Sequence, residues 1–175
     1  MPSERSLFRK IQTVVDIAKS VRVRDIAELC EEVEQRAPSV FNTSRYDASQ
    51  DKFVASISPE SIKRTVVFCR TLELITDDGV LSQEGREASR KSRFNETIGE
   101  RVRIVLSTNG VRLSAMNSVI RDKLHANPPI LPTAEVLWTE LQPSMSRGMF
   151  SKLLTLLVYC DGGQSSQRKV YLGFS

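Results

Sequence analysis

Along most of this chain apolar residues recur at helical spacing, interrupted by brief alternation and by polar turns. Between Glu4 and Lys19, Leu7, Ile11, Val14, Val15 and Ala18 line one face and predict an amphipathic helix. Val21 and Val23 then alternate with Arg22 and Arg24, the two-residue period of a short strand. The helical period resumes at Ile26, Leu29, Cys30 and Val33, behind a capping Asp25 and ahead of Pro38. Ala37 to Gln50 is polar and mixed, which predicts an exposed loop. Phe53, Val54 and Ile57 predict a brief helix over Gln50 to Ile57 with those three residues inward. The strongest local signal follows, from Ser58 to Gly85: SPESIKRTVVFCRTLELITDDGVLSQEG. Ser58 can cap a helix, Pro59 suits its first position, Glu60 suits the positive end of its dipole, and Ile62, Val66, Cys69 and Leu72 form one face. After Leu74 and Ile75, a turn at Asp77, Asp78 and Gly79 and an apolar return at Val80 and Leu81 predict a tight hairpin.

The run GREASRKSRF is basic and poor in apolar residues; it predicts a short helix from Arg86 and then a linker, with a domain boundary near Ser92. The second half repeats the order of the first. Ile98, Val102 and Val105 predict a helix from Asn95 to Ser107, Asn109 and Gly110 end it, and Val111 to Leu113 suits a strand. A helix through Met116, Val119, Ile120 and Leu124 follows. Thr133 then caps a short helix with Ala134, Leu137, Trp138 and Leu141 on one face, and Ser144 to Leu157 predicts another, ending at a turn of Asp161, Gly162 and Gly163. Val170, Leu172 and Phe174 alternate as a return strand. An offset of 84 positions places Phe53 on Leu137, Ile57 on Leu141, Pro59 on Pro143, Thr71-Leu72 on Thr155-Leu156 and Gly79 on Gly163, the pattern of a duplicated domain.

The helix feeding a hairpin in LELITDDGVLSQEG resembles the wing region of the winged helix-turn-helix superfamily. That resemblance implies a mainly α fold with small β-hairpin wings (α+β), built as two tandem winged-helix domains over residues 1–92 and 93–175. In DNA-binding members the helix before the wing leads into the major groove and the wing reaches phosphates or the minor groove. Carried over, this points to Ser61, Lys63, Arg64 and Arg70 in the first domain. In the second it points to Ser146, Arg147 and Lys152, with Arg168 and Lys169 on the wing. The pattern departs from that family in three ways: long segments separate the paired helices, Glu28, Glu31, Glu32 and Glu34 crowd one helix, and Asp77 and Asp78 make the first wing acidic at its tip. Tandem winged helices also resemble protein-gripping subunits of condensin-type, ESCRT-type and transcription assemblies. The broad apolar coverage at Val66, Val67, Phe68 and Leu74, and at Met145, Met149, Phe150, Leu153, Leu154, Leu156 and Leu157, faces either the other repeat or a neighbouring subunit.

Charge sharpens this picture. Residues 1–100 carry 16 Lys+Arg against 17 Asp+Glu, and residues 101–175 carry 9 against 4, so the basic surplus is C-terminal. The expectation is a protein that binds duplex DNA mainly through its second domain, with a protein-binding adaptor as the alternative and a homodimer compatible with either. No cofactor, metal or small-molecule ligand is implied. His125 is the single histidine and reads as a helix-end residue, so a zinc site or histidine-based triad lacks its parts, and an enzyme is not expected. Ser107-Thr108-Asn109-Gly110 and Asp161-Gly162-Gly163 lack the spacing and lysine of a phosphate loop. Cys30, Cys69 and Cys160 are far apart within apolar patterns and read as buried small hydrophobes. With neither an apolar run of membrane length nor a signal-peptide core, the expected location is the cytoplasm, or the nucleoid or nucleus when bound to DNA.

Overall fold

The computed structural model describes residues 4–160. The protein is mainly helical, with eight α-helices and one antiparallel strand pair among the described residues. It divides into two compact units between Phe94 and Asn95.

In the first unit, α1 (Glu4–Ser20), α2 (Ile26–Arg36) and α3 (Pro59–Thr71) pack on one another. Their apolar stripes meet in a core of Ile11, Val14, Val15, Leu29, Val33, Ile62, Val66, Phe68 and Cys69, all buried. The start of each later helix is fixed by a side-chain cap. Asp25 Oδ1 accepts from the Glu28 N–H at 2.9 Å, and Ser58 Oγ accepts from the Ser61 N–H at 3.2 Å. Beyond α3, Ile75 and Leu81 form a single bridge, and the Thr76 N–H donates to the Val80 carbonyl at 2.8 Å, so the expected hairpin closes on its shortest possible ladder. Gly79 turns it at φ +76°, and a β-carbon there would stand 2.8 Å from the Asp25 carbonyl oxygen. The helix expected from Arg86 begins earlier, as α4 (Gln83–Ala88), because Ser82 Oγ accepts from the Gly85 N–H at 2.9 Å.

Two expectations for this unit are corrected. Val21 to Val23 form no strand: both valines are half-buried, the Val21 N–H still bonds Ile17 at the end of α1, and the alternation marks burial rather than a ladder. The loop and brief helix expected over Ala37 to Ile57 are instead one 3₁₀ turn at Pro38–Val40 and a β-hairpin. Its strands, β1 (Asn42–Asp47) and β2 (Lys52–Ile57), pair with Asn42 opposite Ile57 and Asp47 opposite Lys52. The segment carries the aromatic Phe53 and the β-branched Val54 and Ile57, residue types that suit a paired strand. Val54, expected inward, is exposed. The hairpin is fastened at its base, where the Ser58 N–H donates to the carbonyl of fully buried Phe41 at 3.2 Å.

The second unit holds α5 (Phe94–Thr108), α6 (Leu113–His125), α7 (Ala134–Leu141) and α8 (Arg147–Cys160), with α7 packed on both α6 and α8. Ile98, Val102, Leu106, Met116, Leu137, Phe150, Leu153 and Leu157 are buried. Val111 to Leu113 form no strand. Val111 is buried and its N–H caps α5 through the Leu106 carbonyl at 2.9 Å, while Leu113 is already the first residue of α6. The helix expected from Ser144 starts at Arg147, since Gln142 adopts a left-handed conformation (φ 46°) and Ser144 is drawn to the Asn109 carbonyl at 3.0 Å.

The expected 84-residue register therefore does not hold at the level of secondary structure. Phe53 and Ile57 lie in a strand where Leu137 and Leu141 lie in a helix. Pro59 opens α3 while Pro143 stands four residues before α8, and Thr71 ends α3 while Thr155 lies inside α8. The turn at Asp161 to Gly163 and the return strand ending at Phe174 lie outside the described residues.

Candidate nucleic-acid interface

Three of the four residues singled out on α3, Ser61, Arg64 and Arg70, bond a side chain of another residue. Ser61 is half-buried, and its hydroxyl accepts from Lys10 Nζ of α1 at 3.0 Å. Arg64 is exposed and pairs with Glu60 one turn earlier, Nε to Oε1 2.8 Å. Lys63 is exposed on the side of Cys30: partial burial pushes that thiol up, against a smaller opposing effect of the Lys63 cation. Arg70 lies in the last turn, away from the other three, and pairs with Asp77 on the hairpin turn, Nη1 to Oδ1 3.4 Å. The helix start thus gathers Ser61, Lys63 and Arg64 but leaves Arg70 at the opposite end.

On the acidic helix α2, two of the four glutamates are paired with arginines. Arg24 holds the Glu28 carboxylate through its side chain and its N–H, 3.2 and 2.7 Å, and so keeps that carboxyl below the usual range. Glu32 takes Arg36 at 2.6 Å, while Glu31 points to solvent.

On α8 the arrangement differs. Ser146 Oγ accepts from the Met149 N–H at 3.2 Å and so caps the first turn. Arg147 is exposed and meets Glu135 of α7, Nη1 to Oε1 2.7 Å, and Lys152 is exposed one turn further on. The turn before the helix is fixed by Trp138, whose indole N–H donates to the Met145 carbonyl at 3.1 Å. The sequence of α8 contains two cations and no carboxylate. Arg168 and Lys169, assigned to the second wing, lie outside the described residues.

The broad apolar coverage of both helices is core. Val66, Phe68, Leu74, Phe150, Leu153, Leu154, Leu156 and Leu157 are buried, and Val67, Met145 and Met149 are half-buried. His125 sits in the last turn of α6 with Nδ1 2.8 Å from the Arg121 carbonyl. Among the described residues no group of His, Cys, Asp and Glu side chains could hold a metal ion, and no helix is long and apolar enough to cross a membrane. The carboxylates that partner these arginines are only partly legible in the sequence. The Arg64 and Glu60 pair is legible from its four-residue spacing, whereas Arg70 with Asp77 and Arg147 with Glu135 meet only through the fold.

No protein-family model, curated protein or solved structure matches this chain.

Proposed function

We propose that this chain is a pair of tandem winged-helix domains that binds duplex DNA through the second, as a regulator or as the DNA-contacting subunit of a larger assembly. One observation carries the reading: α8 opens on an exposed, capped turn with Arg147, carries Lys152 exposed in its second turn and has no acidic residue, while its opposite face is buried. A cationic helix start of this kind suits phosphate and groove contact. The Arg147 and Glu135 pair is exposed on both sides, worth about 0–1 kcal/mol, so a phosphate can replace the carboxylate at little cost. Arg168 and Lys169 extend the same basic surplus beyond the helix.

A second reading, a protein-binding adaptor, has its own support in the first unit. There the acidic row of α2 and the exposed Asp77 and Asp78 repel a phosphate backbone and suit a basic protein surface.

Fluorescence anisotropy of a labelled random-sequence duplex, titrated at about 50 and about 200 mM salt, separates the two. The DNA reading expects affinity to fall steeply between them. Undetectable or salt-independent binding overturns it, and recovery of a stable protein partner from the source cell then favours the adaptor.

A further inference from the structure

From α4 to the start of α5 the first unit displays a row of cations. Arg86, Arg90, Lys91 and Arg93 fall within eight residues and all four are exposed. The backbone beneath them is pinned at three points. Gly85 packs against the Leu74 carbonyl, Ala88 is buried, and Phe94 is buried edge-on against Phe8 of α1, ring centroids 4.9 Å apart at 86°. Successive turns join the pins: the N–H groups of Ser89, Arg90 and Arg93 donate to Gly85, Glu87 and Arg90 at 2.9, 3.0 and 2.8 Å. Glu87 is the one carboxylate in the run, and it takes Arg90 at 3.2 Å in an exposed pair. The side chains of Arg86 and Lys91 make no ion pair or hydrogen bond among the described residues.

Nothing in the core calls for this row. The apolar anchors already hold the backbone, and like charges this close repel one another in the folded chain. The row also lacks what a protein interface places at its centre, since its exposed residues are Arg86, Arg90, Lys91, Ser92 and Arg93, without an aromatic or large apolar side chain. Arg, Lys and Ser side chains are the groups that contact phosphate oxygens without reading bases.

We propose that Arg86, Arg90, Lys91 and Arg93 form a sequence-independent contact surface for the phosphate backbone of duplex nucleic acid. The surface belongs to the first unit and does not depend on the reading of α8. It supplies affinity and positioning rather than base recognition. It also gives the first unit a nucleic-acid contact remote in sequence from the acidic α2.

The test uses the full chain against one labelled random-sequence duplex across a salt series, comparing wild type, Arg86→Gln/Lys91→Gln and Arg147→Gln/Lys152→Gln. The expected result is that the first variant lowers the slope of log affinity against log salt by about 1 to 2. Arg86→Lys/Lys91→Arg should retain the wild-type slope, which separates loss of charge from damage to α4. A wild-type slope in Arg86→Gln/Lys91→Gln, with binding lost in Arg147→Gln/Lys152→Gln, overturns the proposal and leaves the α8 reading intact. The converse pattern supports this surface and removes α8 as the contact. Loss of polyglutamate binding with duplex binding unchanged would assign the row to an acidic protein and overturn the proposal.

Discussion

Gly85 approaches the main-chain carbonyl of Leu74 so closely that a β-carbon built on it would stand 1.9 Å from the oxygen. That oxygen cannot turn away, because it already accepts from the Ser82 N–H at 3.1 Å in the step that starts α4. Leu74 is fully buried, so its peptide has little room to shift. Gly85→Ala should therefore destabilise the protein by about 3 kcal/mol despite the better helix propensity of alanine. Urea unfolding followed by circular dichroism checks this, and a neutral or stabilising result would show that α4 lifts off without cost.

Arg70 and Asp77 tie the end of α3 to the hairpin turn through side chains that are 46% and 89% exposed, so the pair contributes little to stability. The neighbouring Asp78 is exposed as well. Asp77→Asn/Asp78→Asn should change unfolding free energy by less than about 1 kcal/mol. Removing two negative charges should also raise affinity for duplex DNA at low salt by about two- to fourfold, at about 0.4 kcal/mol per charge roughly 10 Å away in water. Anisotropy titration reads the gain. An unchanged affinity would place the first hairpin away from the nucleic acid.

How much of this was legible can be judged from the same elements. The helices were readable because Asp25, Ser58 and Thr133 are capping residues that do cap, and because their apolar periods continue for about two to four turns. The β-hairpin was not, since an apolar run as short as Lys52–Ile57 fits either state until Phe41 and Ser58 fasten its base. Val21, Val23 and Val111 misled in the opposite direction: burial of a connecting segment imposes the same alternation as a strand. For the candidate site, residue type and charge were legible, but the carboxylates that hold Arg70 and Arg147 arrive from a turn and from another helix. The basic run at Arg86 to Arg93 was visible as composition alone; its anchoring on Ala88 and Phe94 required the fold.

Cys69 offers a pH signature. It is fully buried in α3, and burial pushes its thiol well above the ordinary range. In the unfolded chain the thiol ionises near its usual value of about 8.5. Above that pH the unfolded state binds fewer protons than the folded one, so stability falls as pH rises. Relative to Cys69→Ala, the wild type should lose up to about 1.4 kcal/mol per pH unit from about pH 8.5 upward. Urea midpoints of both proteins at pH 8 and about pH 10 check the difference; parallel behaviour would mean that the thiol ionises in place.

Trp138 is the single tryptophan of the chain, and it stands beside the turn proposed to meet DNA. Its indole N–H donates to the Met145 carbonyl at 3.1 Å, and the next residue, Ser146, caps α8. A phosphate that displaces Glu135 from Arg147 alters the charge around α7, on which Trp138 lies one turn after Glu135. Saturating duplex DNA should therefore shift or quench Trp138 emission. Arg147→Ala/Lys152→Ala should abolish the change, whereas Arg86→Gln/Lys91→Gln should only move it to higher DNA concentration, because α8 still docks. Tryptophan emission recorded along the same titrations tests all three expectations. Emission that stays constant while anisotropy rises would show that DNA is held elsewhere and that the first turn of α8 is not the contact.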